Sequence, residues 1–166
     1  MTRSTWPAYA TAAWLVAFVG WHAPLLFGWE PFPATDDVNH AVFLVYDSAL
    51  IAIAAVGAVV VLATVRPWGR RFPRRLLLTP LIFGSVLLTL RGVPGFLEFL
   101  AQVTGLAPAG LAGLLDKSAE APTGVQLWAG YAINLYFFVG AVFLIPATLR
   151  FRRTSRRGTP DRARAR

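Results

Sequence analysis

Four long apolar stretches divide the chain, separated by short polar connections. They cover Ala8–Gly28, Ala41–Val65, Leu76–Leu100 and Val125–Leu149. About 20 residues of apolar helix cross a hydrocarbon core, and each stretch is long enough to do so. Hydrocarbon offers the backbone no hydrogen-bond partner, so a spanning segment satisfies its own amides as a helix. The pattern predicts an all-α protein, a four-helix transmembrane bundle forming one domain over residues 1–149. The remainder, 150–166, is rich in arginine and poor in apolar residues, and it reads as a disordered tail.

Polar residues interrupt all four stretches. They are His22 in the first, Asp47 in the second, Arg91 in the third, and Tyr131 with Asn134 in the fourth. Counted inward from one edge at the helical rise of ~1.5 Å per residue, all fall roughly 9–14 Å deep. Ionisable groups at such depth are costly, and they face a protein interior or a water-filled cavity. One polar layer shared by four helices is the expectation. Within it, an Asp47–Arg91 ion pair capped by His22 or Asn134 is the simplest pairing, whether its role is structural or functional. A buried pair seldom stabilises more than apolar packing would, which is why such a layer invites a functional reading.

The third stretch carries Gly84, Leu88, Arg91, Gly95 and Glu98 at three- and four-residue spacing, one stripe on a helix. Arg91 and Glu98 are two turns apart, beyond direct reach on a straight helix. Pro94, flanked by Gly92 and Gly95, predicts a bend or break there. Glu98 near the mouth reads most simply as a snorkelling carboxylate. In the fourth stretch Gly130, Asn134 and Ala141 share a small-residue face suited to close helix approach, and Ala54, Gly57 and Ala58 offer the same in the second.

Charge orients this frame. Arg66, Arg70, Arg71, Arg74 and Arg75 crowd the connection between the second and third stretches, Arg3 precedes the first, and eight arginines follow Leu149. The opposite connections carry Glu30, Asp36 and Asp37 without a basic residue, and Asp116 and Glu120 around Lys117. Short arginine-rich connections remain cytoplasmic, so both termini are expected inside a bacterial plasma membrane. Trp6 and Trp68 mark one boundary and Trp29 and Trp128 the other, as an aromatic belt requires; Trp14 and Trp21 are expected to pack against neighbours. No small-x-small cleavage site follows the first stretch, which reads as a retained span.

Composition narrows the chemistry. The chain has 166 residues, 56% hydrophobic, against roughly 45–50% in soluble domains. No cysteine is present, which excludes thiol–disulfide exchange, thiolate nucleophiles and cysteine-held metals. No glycine-rich phosphate loop, G-x-S-x-G elbow or H-E-x-x-H pair occurs. His22 and His40 with Glu30, Asp36 or Asp37 are the available ligands for an outward metal, but no pair has helical i, i+4 spacing. No cofactor and no metal site is expected. The tail lacks the interleaved aromatics of a nucleic-acid surface, and its natural partner is anionic lipid.

The runs Trp21–Gly28, Leu90–Gly95 and Asn134–Gly140 resemble a family of small four-span bacterial membrane proteins, of actinobacterial type, whose function is unknown. Membership would imply a four-helix bundle and lend weight to His22 and Arg91. It implies no chemistry. Three function classes follow from the residues. The first is an accessory subunit or binding protein whose polar cluster of His22, Asp47, Arg91, Glu98, Tyr131 and Asn134 engages a small anionic ligand or lipid headgroup. The second is a membrane enzyme or proton-coupled carrier in which His22 or Asp47 exchanges protons. The third is a structural partner for another membrane protein.

Overall fold

A computed structural model describes residues 5–29, 39–115 and 120–156. The expectations placed on Arg3, on the acidic residues Glu30, Asp36 and Asp37, on Asp116 and Lys117, and on the arginines beyond 156 fall outside the described residues. Among the described residues all regular structure is helical. Helix α1 spans Trp6–His22 and passes into a 3-10 turn at Ala23–Phe27; α2 spans His40–Ala63 and is followed by a 3-10 turn at Pro67–Arg71. Helix α3 covers Arg74–Val103, the short α4 covers Gly110–Leu115, and α5 covers Gly124–Arg156. Four helical segments are long and apolar enough to cross a membrane: Trp6–Phe27, His40–Ala63, Arg74–Val103 and Gly124–Thr154. The protein is all-α and of multi-pass membrane type.

Local chemistry sets the helix ends. Pro24 lacks the amide hydrogen that would continue the hydrogen-bond ladder of α1, and the chain tightens into 3-10 geometry after His22. Gly28, at φ 84°, then closes the turn with its N–H on Leu25 O. At the start of α2, Asn39 Oδ1 accepts from Ala41 N at 3.0 Å and Val42 N at 3.4 Å, a cap that contributes about 1 kcal/mol.

The described residues group into two compact units, Met1–Leu81 with Ala147–Arg166, and Ile82–Pro146. In the first unit, α1 and α2 pack through small side chains. Ala8, Thr11 and Ala12 are buried on one helix and Ala54, Ala58 and Val61 on the other. A Cβ at Gly57 would lie 3.3 Å from Leu15 Cδ1. Such faces bring backbones close enough for dispersion to hold helices together where lipid removes the hydrophobic drive. Thr11 Oγ1 returns its hydrogen to Pro7 O at 2.7 Å, so the buried hydroxyl is satisfied within its own helix. Large side chains such as Val16, Ile53, Val56 and Val59 point outward, as residues meant for lipid do. Gly69 is buried because any Cβ there would collide with the Ala63 backbone, which holds the Pro67–Arg71 turn against the end of α2.

The second unit comprises α4 with residues 82–103 of α3 and 124–146 of α5. Gly92 lets α3 approach α5 so closely that an added Cβ would sit 2.9 Å from Phe137 O. Phe96 and Phe138 stack beside this contact at 4.1 Å.

Three expectations change. Of the bend or break expected at Pro94, the break does not occur: α3 remains α-helical across it. Without water to take up freed backbone groups, a continuous helix is the cheaper solution. Helix α5 continues past Leu149 to Arg156 instead of giving way to disorder at residue 150. Arginine is a good helix former, cations favour a helix C-terminus, and Arg74 Nη2 donates to Arg152 O at 3.2 Å. Trp21 packs against a neighbour as expected, edge-on to Trp29 at 5.2 Å, although it stays exposed at the end of α1. Gly130 faces open space and makes no close approach.

Candidate functional site

The six candidate residues fall into two groups, one in each unit. In the first, the proline-enforced end of α1 leaves His22 in the last helical turn, and Asp47 sits in the second turn of α2. Nδ1 of His22 lies 2.5 Å from Oδ1 of Asp47, and Phe18 stacks on the imidazole at 4.0 Å. Asp47 is 2% exposed, and its Oδ2 is buried without a hydrogen-bond partner. His22 retains 24% of its side-chain exposure, so the pair is open on the imidazole side only. Measured from their own element ends, His22 is ~10 Å inside Phe27 and Asp47 ~10 Å inside His40, matched depths for a contact between antiparallel neighbours.

In the second group, Arg91 Nη1 donates to Asn134 Oδ1 at 3.0 Å, and the guanidinium lies 5.1 Å over the Phe137 ring. Asn134 is buried and turns its amide nitrogen toward Glu98 Oε2 at 3.5 Å. Glu98 Oε1 in turn accepts from Leu111 N at 3.0 Å, at the start of α4. The two-turn gap between Arg91 and Glu98 is thus bridged from α5. An amide suits this position because it accepts from a cation with its oxygen and donates to a carboxylate with its nitrogen. Gly95 makes the space, since a Cβ there would lie 2.6 Å from Arg91 Nη1 and 2.7 Å from Asn134 Oδ1. Gly110, at φ +66°, plays the same part for Glu98.

Each charge of the ion pair expected from the sequence has a partner within its own unit: Asp47 takes His22, and Arg91 takes Asn134. Glu98 is not a freely snorkelling carboxylate but the anchor of the Asn134 amide. Tyr131 joins an aromatic cluster, edge-on to Phe99 at 5.1 Å and to Trp128 at 5.8 Å. His40 begins α2, and among the described residues no group of three metal-ligating side chains forms. A cavity of ≈ 630 Å³ lies at the end of α1, lined by Gly20, Trp21, Ala23, Pro24, Phe27 and Trp29. Its walls are apolar, and none of the six candidates lines it.

Sequence reasoning missed the His22–Asp47 pairing although its signal was present. Both residues lie at the same counted depth on consecutive spans, which a short connection makes neighbours. No protein-family model matches the chain, and no curated protein or solved structure is significantly similar to it. The resemblance carried by its short motifs therefore rests on those motifs alone.

Gly95→Ala forces Arg91 and Asn134 apart and forfeits a charge-assisted hydrogen bond contributing about 1.5–3 kcal/mol. Alanine's helix propensity returns up to ~1 kcal/mol of that, so the variant should unfold at lower temperature in detergent. Gly130→Ala, facing open space, should be neutral or stabilising. Equal melting of the two variants would show that the Arg91–Asn134 contact does not depend on Gly95.

Proposed function

We propose that this chain is a four-helix, multi-pass protein of the bacterial plasma membrane with both termini cytoplasmic. Its role would be that of a binding or accessory subunit that takes up a small anionic ligand or lipid headgroup at Arg91. The arginine distribution along the connections supports the orientation. One observation carries the ligand reading: among the described residues, Asn134 is the single hydrogen-bond acceptor of Arg91, while the arginine side chain is exposed. A guanidinium has five N–H donors in a fixed fork that matches a carboxylate or phosphate. Within a span, unused donors are costly, and an anion meeting them would recover that cost. Asn134 and Glu98 hold the fork in place, and the Phe137 face supports it from one side. Orientation held before binding reduces the ordering cost of capture.

Solubilised full-length protein titrated with glycerol 3-phosphate and with succinate tests this. A ligand at 100 times its Kd stabilises by about 2.7 kcal/mol, so melting should rise by several degrees for at least one anion. Arg91→Leu and Asn134→Ala should abolish the rise. An anion-induced shift that survives Arg91→Leu would place binding elsewhere.

The His22–Asp47 pair favours a second reading, a proton-coupled carrier or membrane enzyme. Its carboxyl oxygen without a partner is the observation behind it. A hydrogen-bonded imidazole and carboxyl hold one exchangeable proton between them, taken up or released through the more open His22 ring. Proton uptake by proteoliposomes under an imposed pH gradient should then be lost in both His22→Ala and Asp47→Asn. Uptake that persists in His22→Ala removes the histidine from any such path.

A further inference from the structure

A cluster of arginines lies at the other end of the first unit, away from His22 and Asp47. The Pro67–Arg71 turn and the first turn of α3 present Arg66, Arg70, Arg71, Arg74 and Arg75, and the end of α5 adds Arg150, Arg152 and Arg153. Arg74 ties the two segments through Arg152 O, so they form one surface. Arg66 lies over the Tyr9 ring at 5.5 Å. Gly69, locked against Ala63, fixes the turn from which Arg70 and Arg71 project into solvent. Among the described residues of this unit the one acidic side chain is Asp47, which is taken by His22 and lies ~24 Å along α2 from Ala63. Among the described residues of this unit no carboxylate stands beside the exposed Arg70, Arg71 and Arg75, and their mutual repulsion favours anions from outside.

We infer that this surface binds the phosphate headgroups of anionic phospholipid. Guanidinium forks match phosphodiester oxygens, and several on one surface offer bidentate contacts. The occupant is lipid rather than a soluble polyanion because of what flanks the arginines. Trp68 and Phe72 are exposed and meet edge-on at 6.1 Å, at the boundary of two candidate spans. Amphipathic rings at that position sit among headgroups, which brings Arg70, Arg71 and Arg75 to phosphate depth. The inference is independent of the reading of Arg91.

The test uses full-length protein in nanodiscs of phosphatidylcholine containing a minor fraction of phosphatidylglycerol. Lipids retained by the protein are counted by native mass spectrometry. Wild-type protein should retain phosphatidylglycerol preferentially, and each arginine near the surface contributes about fivefold. Replacing Arg70, Arg71 and Arg75 together by Gln should reduce the preference on the order of a hundredfold. Wild-type protein without a preference would overturn the inference whether or not the triple variant folds. Tighter binding of duplex DNA than of phosphatidylglycerol, lost with the same three arginines, would overturn it in favour of nucleic acid.

Discussion

A carboxyl group placed within an apolar span has to find a polar partner inside the protein, and Asp47 finds His22. Much of the first unit follows from that requirement. Pro24 ends α1 one turn short of its boundary, which leaves His22 in a final turn facing α2. The small faces of Ala8, Thr11 and Ala12 and of Ala54 and Ala58 bring the helices close. Neither the apolar packing nor the polar contact is sufficient by itself. Dispersion between small residues sets the distance, and the pair sets the register. Breaking a buried pair by removing one partner is far costlier than its net contribution suggests, because the survivor keeps its desolvation penalty.

The second unit meets the same constraint with a different device. Arg91 receives not a counter-charge but an amide, and the counter-charge stands one step further off at Glu98. Asn134 spans the two turns that a direct contact along α3 does not cover. Two glycines keep the chain of contacts open, Gly95 under Arg91 and Asn134, and Gly110 under Glu98. The arrangement leaves the guanidinium oriented, with Asn134 as its one hydrogen-bond acceptor among the described residues. At Asp47 the carboxyl is enclosed and the imidazole alone opens outward.

The spans were readable from sequence because their signal is additive over more than 20 residues and survives errors of a few residues at each end. Side-chain partners were not, because they depend on which faces meet. Asp47 and Arg91 attract each other on paper through formal charge, and nothing in the sequence weighs helix rotation against it. His22 was placed at the correct level but given only a capping role. Pro94 illustrates a general rule overridden by its surroundings: a helix breaker in water is tolerated in a span where an open backbone has no solvent. The arginines after Leu149 show the opposite error. A composition typical of disorder continues as helix to Arg156, since Arg74 takes hold of the Arg152 carbonyl.

The central claim is that Asp47 pairs with His22, and a double-mutant cycle tests it most directly. Unfolding free energies in bicelles would be compared for wild type, His22→Ala, Asp47→Asn and the double variant. Contacting residues in one polar network couple by about 0.5–3 kcal/mol, and the upper part of that range is predicted here. Single and double variants whose effects simply add would contradict the pairing, and with it the account of how α1 and α2 are held in register.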